Sequence, residues 1–294
     1  MLTPRRPDIA FQQGVTPILW SKDREFAQYL NGVSVIITPV EHLLNNVANE
    51  IRAQHCDGNP ALKEELELFI RQESNHTLYH NRFNKLLLDA GYEIKPVIAA
   101  VTGELKALRD KKSLAFCAAY CAGFENTATF VAKYVYEQCD RYFEGSEPSG
   151  ANLWLWHISE EFEHRTSCHE AFNAVSGSYF LRLAGFFYSF WHINYCFWRG
   201  ASVLLKKDRA AMAPSRRWAS RLHQARNMTR QLAWTLPRML PLLSPGFDPG
   251  KMPVPARIQA ALDFFKTSDP INEPFTAVYR FVPESFPHAP IRQK

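Results

Sequence analysis

An all-α fold, a four-helix core followed by additional C-terminal helices, is what three features of this sequence predict. Apolar residues recur at helical spacing over long stretches, helix-start residues stand ahead of them, and Pro and Gly gather between them. With 294 residues the chain can bury a substantial core, and 46% hydrophobic against 21% charged residues describes a folded protein. The predicted organisation is one domain: an arm over residues 1–30, a helical bundle over 31–176, and helices with a Pro-rich tail packing on it over 177–294.

Thr38-Pro39-Val40-Glu41 reads as a helix start, with Thr as cap, Pro in the first turn and Glu in the capping-box place. Leu44, Ala48 and Ile51 follow on the side of Glu41, to about His55. Asn59-Pro60 starts a second helix whose apolar line Leu62, Leu66 and Phe69 continues through Glu73, His76 and His80 to Phe83 and Leu87, with Gly91 as its stop. Residues 92–112 read as a crossover containing a short helix over Val97–Leu108. A third core helix spans Ser113–Ala132, with Glu125 as its only charged residue.

The fourth is expected over Ala151–Ser176, with Trp154, His157, Glu161, His164, Cys168 and Ala171 in line and Glu160, Glu163 and Glu170 on another side. Tyr179–Leu205 is dense in aromatics and reads as a core or lid helix over a substrate channel. Its longest uncharged stretch, Leu183–Trp198, falls short of a membrane span. Pro214–Leu236 is a basic amphipathic helix whose apolar side is expected to pack on the bundle, with a membrane surface as the other reading. Pro-broken coil, a short helix over Ala256–Lys266 and the tail complete the chain.

Glu73-x-x-His76 and Glu161-x-x-His164 each place a carboxylate and an imidazole on one helix face. With one Glu from each of two other helices, Glu41 and Glu125, two such pairs make the di-metal carboxylate pattern of a ferritin-like core. An unpaired carboxylate in the apolar surroundings of Glu125 is costly unless it binds a cation. His157, one turn before Glu161, completes the candidate set Glu41, Glu73, His76, Glu125, His157, Glu161 and His164. His80, Glu160 and Tyr79 are candidates for supporting it or adding a ligand. The donors suit two iron ions, leave manganese open, and favour zinc less.

The blocks Ser34 to Glu41, Gln72 to His80 and Trp156 to His164 resemble the bacterial family called predicted metal-dependent hydrolases, with Val40 where that family has Gly and Asp248 where it has His. The ligand order also resembles that of the ferritin-like di-iron aminobenzoate N-oxygenases. The second resemblance implies an oxygen-dependent oxidoreductase taking dioxygen as co-substrate, an electron donor, and a small organic or lipid-like substrate. The first implies a binuclear hydrolase. An iron-binding or ferroxidase protein is a third reading.

The net charge of +5 lies largely between Lys206 and Arg238, and a solvated helix face accounts for it without nucleic acid. A peripheral membrane contact and a homodimer stay open. Six Cys without a CxxC pair, and an N-terminus lacking the apolar core of a signal peptide, lead to the expectation of reduced thiols and a cytoplasmic setting.

Overall fold

Asp23 begins the first helix by accepting a hydrogen bond from the Phe26 amide, and α1 runs over Arg24–Gln54. The computed structural model describes residues 2–266 together with Ile271, Pro274 and Phe275. Pro39 therefore sits inside a helix and does not open one, so Thr38-Pro39 is no N-terminus. Pro39 lacks an amide to donate, but the buried apolar run from Val33 to Val47 holds α1 together across it. The arm is correspondingly shorter than residues 1–30.

Asn59 caps α2 (Pro60–Asp89), and Gly91, at φ 76°, ends it in the left-handed region while the Tyr92 amide bonds back to the Leu87 carbonyl. The crossover helix is α3 (Lys95–Lys111). Ser113 caps α4 (Leu114–Gln138), and the single turn α5 (Asp140–Phe143) follows.

The expected helix over Ala151–Ser176 is two: α6 (Pro148–Glu163) and α7 (Ser167–Val175), separated by a turn at residues 164–166. Thr166 and Ser167 turn their hydroxyls onto Glu65 of α2, and these bonds hold the break. The remaining helices are α8 (Tyr179–Ala210), α9 (Pro214–Arg238) and α10 (Ala256–Phe264); there is no strand among the described residues.

α1 pairs with α2, α4 packs on α6 and α7, and α2 also meets α6 and α7, which closes the core. α8 lies against both α1 and α4. Glycines permit this. A Cβ on Gly32 of α1 would stand 2.2 Å from the Ala201 backbone, and one on Gly185 would stand 2.4 Å from the Ala119 backbone of α4.

α9 departs from expectation in its orientation. The face it buries carries Ser220 and Thr235, while Trp218, Leu222, Leu232 and Leu236 point outward. No helix among the described residues is long and apolar enough to cross a membrane.

Candidate metal centre

Four helices and the end of α6 deliver the candidate residues to one place in the interior. Glu41 comes from α1, Glu73 and His76 from α2, Glu125 from α4, His157 and Glu161 from α6, and His164 from its C-cap. All seven are buried. Nδ1 of His76 lies 4.0, 3.9 and 3.7 Å from carboxylate oxygens of Glu41, Glu73 and Glu161. Nδ1 of His164 lies 2.8 Å from Glu73 Oε1 and 3.8 Å from Glu125 Oε2. Two groups of possible ligand atoms follow: Glu41, His76 and His157, and Glu73, Glu161 and His164, each within 4.8 Å.

The hydrogen-bond network fixes which imidazole nitrogens face this centre. His76 Nε2 is 2.9 Å from Glu160 Oε2, and His164 Nε2 is 3.2 Å from Gln72 Oε1; both oxygens accept, so each ring carries its proton on the outer nitrogen. His76 and His164 therefore turn bare Nδ1 atoms inward.

For His157 the chain is longer. Ser34 donates to Asn84 Oδ1, so His80 Nδ1, 2.8 Å away, must donate to Ser34 Oγ. That leaves His80 Nε2 to accept from His157 Nδ1 at 2.9 Å, and the singly protonated His157 ring presents a bare Nε2 to Glu161 Oε1 at 3.1 Å.

With the carboxylates ionised, lone pairs thus meet lone pairs. Glu41 Oε1, both oxygens of Glu73 and of Glu125, Glu161 Oε2, and Nδ1 of His76 and of His164 are buried with no hydrogen-bond partner. Buried polar atoms are nearly always satisfied, and eight orphans converging on one centre are what a cation site leaves when only its protein half is considered. The residues fit metal ions.

The electrostatics agree. Burial, then repulsion from neighbouring carboxylates, pushes Glu41, Glu73 and Glu125 well above the usual carboxyl range. Burial also pushes Glu161 up, but in the metal-free protein attraction to positive charge on His157 and His164 outweighs it and holds Glu161 below that range. Burial lowers His76 and His80, with neighbouring imidazoles adding to it.

The surrounding residues divide clearly. His80 and Glu160 each back an inner imidazole. Glu160, also paired with Arg5 at 3.0 Å, is pushed up to about 7 by burial. It is fully buried. Tyr79 is turned away, donating to the Pro7 carbonyl.

Thr77, Gln72, Ser34 and Arg5 were not singled out by the sequence. Thr77 donates to Glu41 Oε2 at 2.6 Å, and Gln72 links His164 to Glu163. Their positions flanking Glu73-x-x-His76 were the available signal. Asp248 lies outside the centre, accepting from the Gly250 amide. Glu104, His192 and Cys196 also gather, but Arg199 already neutralises Glu104 at 2.6 Å.

A cavity of about 90 Å³ reaches the centre from one side. His157 and Glu161 form its inner end; Phe124, Trp154, Phe190, Ile193 and Phe197 form its walls. Phe26, Tyr29, Tyr134 and Gln231 line both this cavity and a smaller one toward α9.

A family model described as "Predicted metal-dependent hydrolase" matches residues 3–252. The chain belongs to that family. Membership overturns the expectation of an oxygen-dependent oxidoreductase: the family description names a hydrolase, the reading that stood second. Metal dependence is common to the family description and to the clustered Glu and His residues. No curated protein and no solved structure matches the chain, so the ferritin-like comparison rests on the ligand pattern alone.

Proposed function

We propose that the chain is a binuclear metal-dependent hydrolase that cleaves an ester or amide bond in a small, largely apolar substrate. The observation carrying this is the convergence of unpartnered Glu41, Glu73, His76, Glu125, Glu161 and His164 atoms at the inner end of an apolar cavity, in a chain of a predicted metal-dependent hydrolase family.

Glu41, His76 and His157 would hold one ion and Glu73, Glu161 and His164 the other, with Glu125 facing the second group. The ions' contribution is to acidify water and polarise the scissile carbonyl. Every other task falls to side chains. His157 and Glu161 belong both to the centre and to the cavity, so the scissile bond approaches from their side. Phe124, Trp154 and Phe190 exclude bulk water and accept an apolar acyl group. The His157–His80–Ser34 chain keeps the His157 proton on Nδ1, away from the reacting groups.

Hydrolysis needs no electron donor, and a carboxylate and imidazole set admits manganese, ferrous iron or zinc. The test uses chelator-stripped protein, reloaded under nitrogen with each ion and assayed on acyl esters and amides of graded length. Cleavage that returns with metal and ignores oxygen is the expected result. No cleavage with any ion on any substrate would overturn the proposal.

A further inference from the structure

The outer surface of α8 and α9 is built the wrong way round for a face that meets only water. Along α8, Phe180, Phe187, Trp191, Tyr195 and Trp198 recur at helical spacing on the solvent side, with Phe180 79% and Trp191 70% exposed. Along α9, Trp218, 70% exposed, leads Leu222, Leu232 and Leu236 on the side opposite buried Ser220 and Thr235. The two stripes are continuous, because Phe187 and Trp191 line one groove with Leu236 and Leu240. Single exposed apolar residues are ordinary, but a joined patch of this extent marks a contact surface.

Its charge identifies the occupant. The α9 segment over residues 214–238 contains six Arg and no Asp or Glu, and all six are exposed. On the helical wheel Arg217 and Arg221 flank the apolar stripe on one side, and Arg226 and Arg230 flank it on the other. An apolar stripe edged by arginines, with Trp and Tyr on the neighbouring helix, is the composition of a helix lying in a lipid headgroup region. A second copy of this chain is the poorer match, since an isologous contact would set two such Arg-rich helices against each other.

We infer that the α8–α9 face docks the protein peripherally on an anionic lipid surface. The aromatic and leucine side chains enter the boundary between headgroups and acyl chains, and the flanking arginines meet the lipid phosphates. This inference does not depend on the catalytic reading.

Flotation of the full chain with vesicles of phosphatidylcholine plus phosphatidylglycerol, against vesicles of phosphatidylcholine alone, tests it. Size-exclusion chromatography with light scattering runs alongside. The wild type should float with the anionic vesicles, less so at high salt, and only weakly with the neutral ones. Combining Trp191→Ser, Trp218→Ser and Leu222→Ser should weaken binding at least roughly tenfold. Each of Arg221→Gln, Arg226→Gln and Arg230→Gln should weaken it about fivefold. These exposed positions leave the fold intact, which unchanged circular dichroism and melting temperature verify. The inference fails if the wild type floats with neither vesicle, if it floats equally with both, or if the substitutions leave flotation unchanged. It also fails if the wild type is a dimer that the same substitutions dissociate.

Discussion

His157 Nδ1 and His80 Nε2 stand 2.9 Å apart, and Ser34 fixes the direction of the hydrogen bond between them from the far side of His80. A hydroxyl on α1 thereby decides which nitrogen of an α6 imidazole is free for a metal. Ser34→Ala removes the acceptor for the His80 Nδ1 proton and should cost about 1–3 kcal/mol of stability, as an orphaned buried donor does. Metal affinity at the Glu41–His76–His157 group should fall about 10-fold or more, and that at the other group should hold. Chelator competition resolving two ions per chain reads both; an equal loss at the two groups would count against this account.

Thr77 exerts the same kind of control on Glu41, donating to Oε2 and leaving Oε1 for the centre. Thr77→Val preserves the side-chain shape without the hydroxyl. Weaker metal binding by about 10-fold with an unchanged helical spectrum is the expected outcome, measured by the same competition. A variant that keeps full affinity would remove Thr77 from the design of the site.

The helices and the seven inward residues could be read from the chain because both signals are local. Glu73 with His76 and Glu161 with His164 follow from helical periodicity alone, and the lone charge of Glu125 among apolar neighbours announces burial. What escaped is non-local. Arg5 reaches Glu160 across 155 positions, and Ser34 reaches His80 across 46. Thr38-Pro39 looks like a helix start in a short window, yet Asp23, well upstream, supplies the cap. On α9 the apolar stripe was legible but its direction was not, because periodicity locates a face and says nothing of what the face meets. The reaction was misjudged for a related reason: carboxylate and imidazole ligands are shared by oxygen chemistry and by hydrolysis.

Stability should respond to pH differently with and without metal. Glu41, Glu73 and Glu125 stand well above their ordinary 4.5 in the folded protein, so the native state keeps protons that the unfolded chain has released. Metal-free protein therefore loses stability as pH rises from about 4.5, by up to ~1.4 kcal/mol per pH unit for each carboxyl still protonated. His76 and His80, lowered from 6.5, oppose this trend only below that value, where the unfolded chain binds their protons. Above about 6.5 the decline is uncontested, with Glu160 contributing until about 7. Metal should abolish the decline, because its binding strengthens as the carboxyls and imidazoles lose protons. Thermal melts with chelator and with manganese, run from pH 6.5 to 8.5, show whether the two slopes differ.

Phe186 and Phe190 both pack on the cluster of Phe130, Met239 and Leu242, but only Phe190 also forms part of the cavity wall. Phe190→Ala should shift kcat/KM toward longer acyl chains with metal content unchanged, and Phe186→Ala should leave chain-length preference as it was. A series of nitrophenyl esters distinguishes the two. Equal effects from both substitutions would mean that the acyl group does not lie in this cavity.

Gly200→Ala should destabilise by about 1–3 kcal/mol or more, since its Cβ would fall 2.4 Å from the Gly32 carbonyl oxygen. Denaturant melts give the value; a loss under ~0.5 kcal/mol would show that α1 and α8 separate easily.

Contact at both Gly32 and Gly185 nails α8 down at two stations along its length, on different neighbours. A strut fastened in this way does not swing. The backbone on the α8 side of His157 and Glu161 is therefore held in place, and a molecule entering the cavity meets a fixed frame in which only side chains such as Phe190, Ile193 and Phe197 are left to adjust.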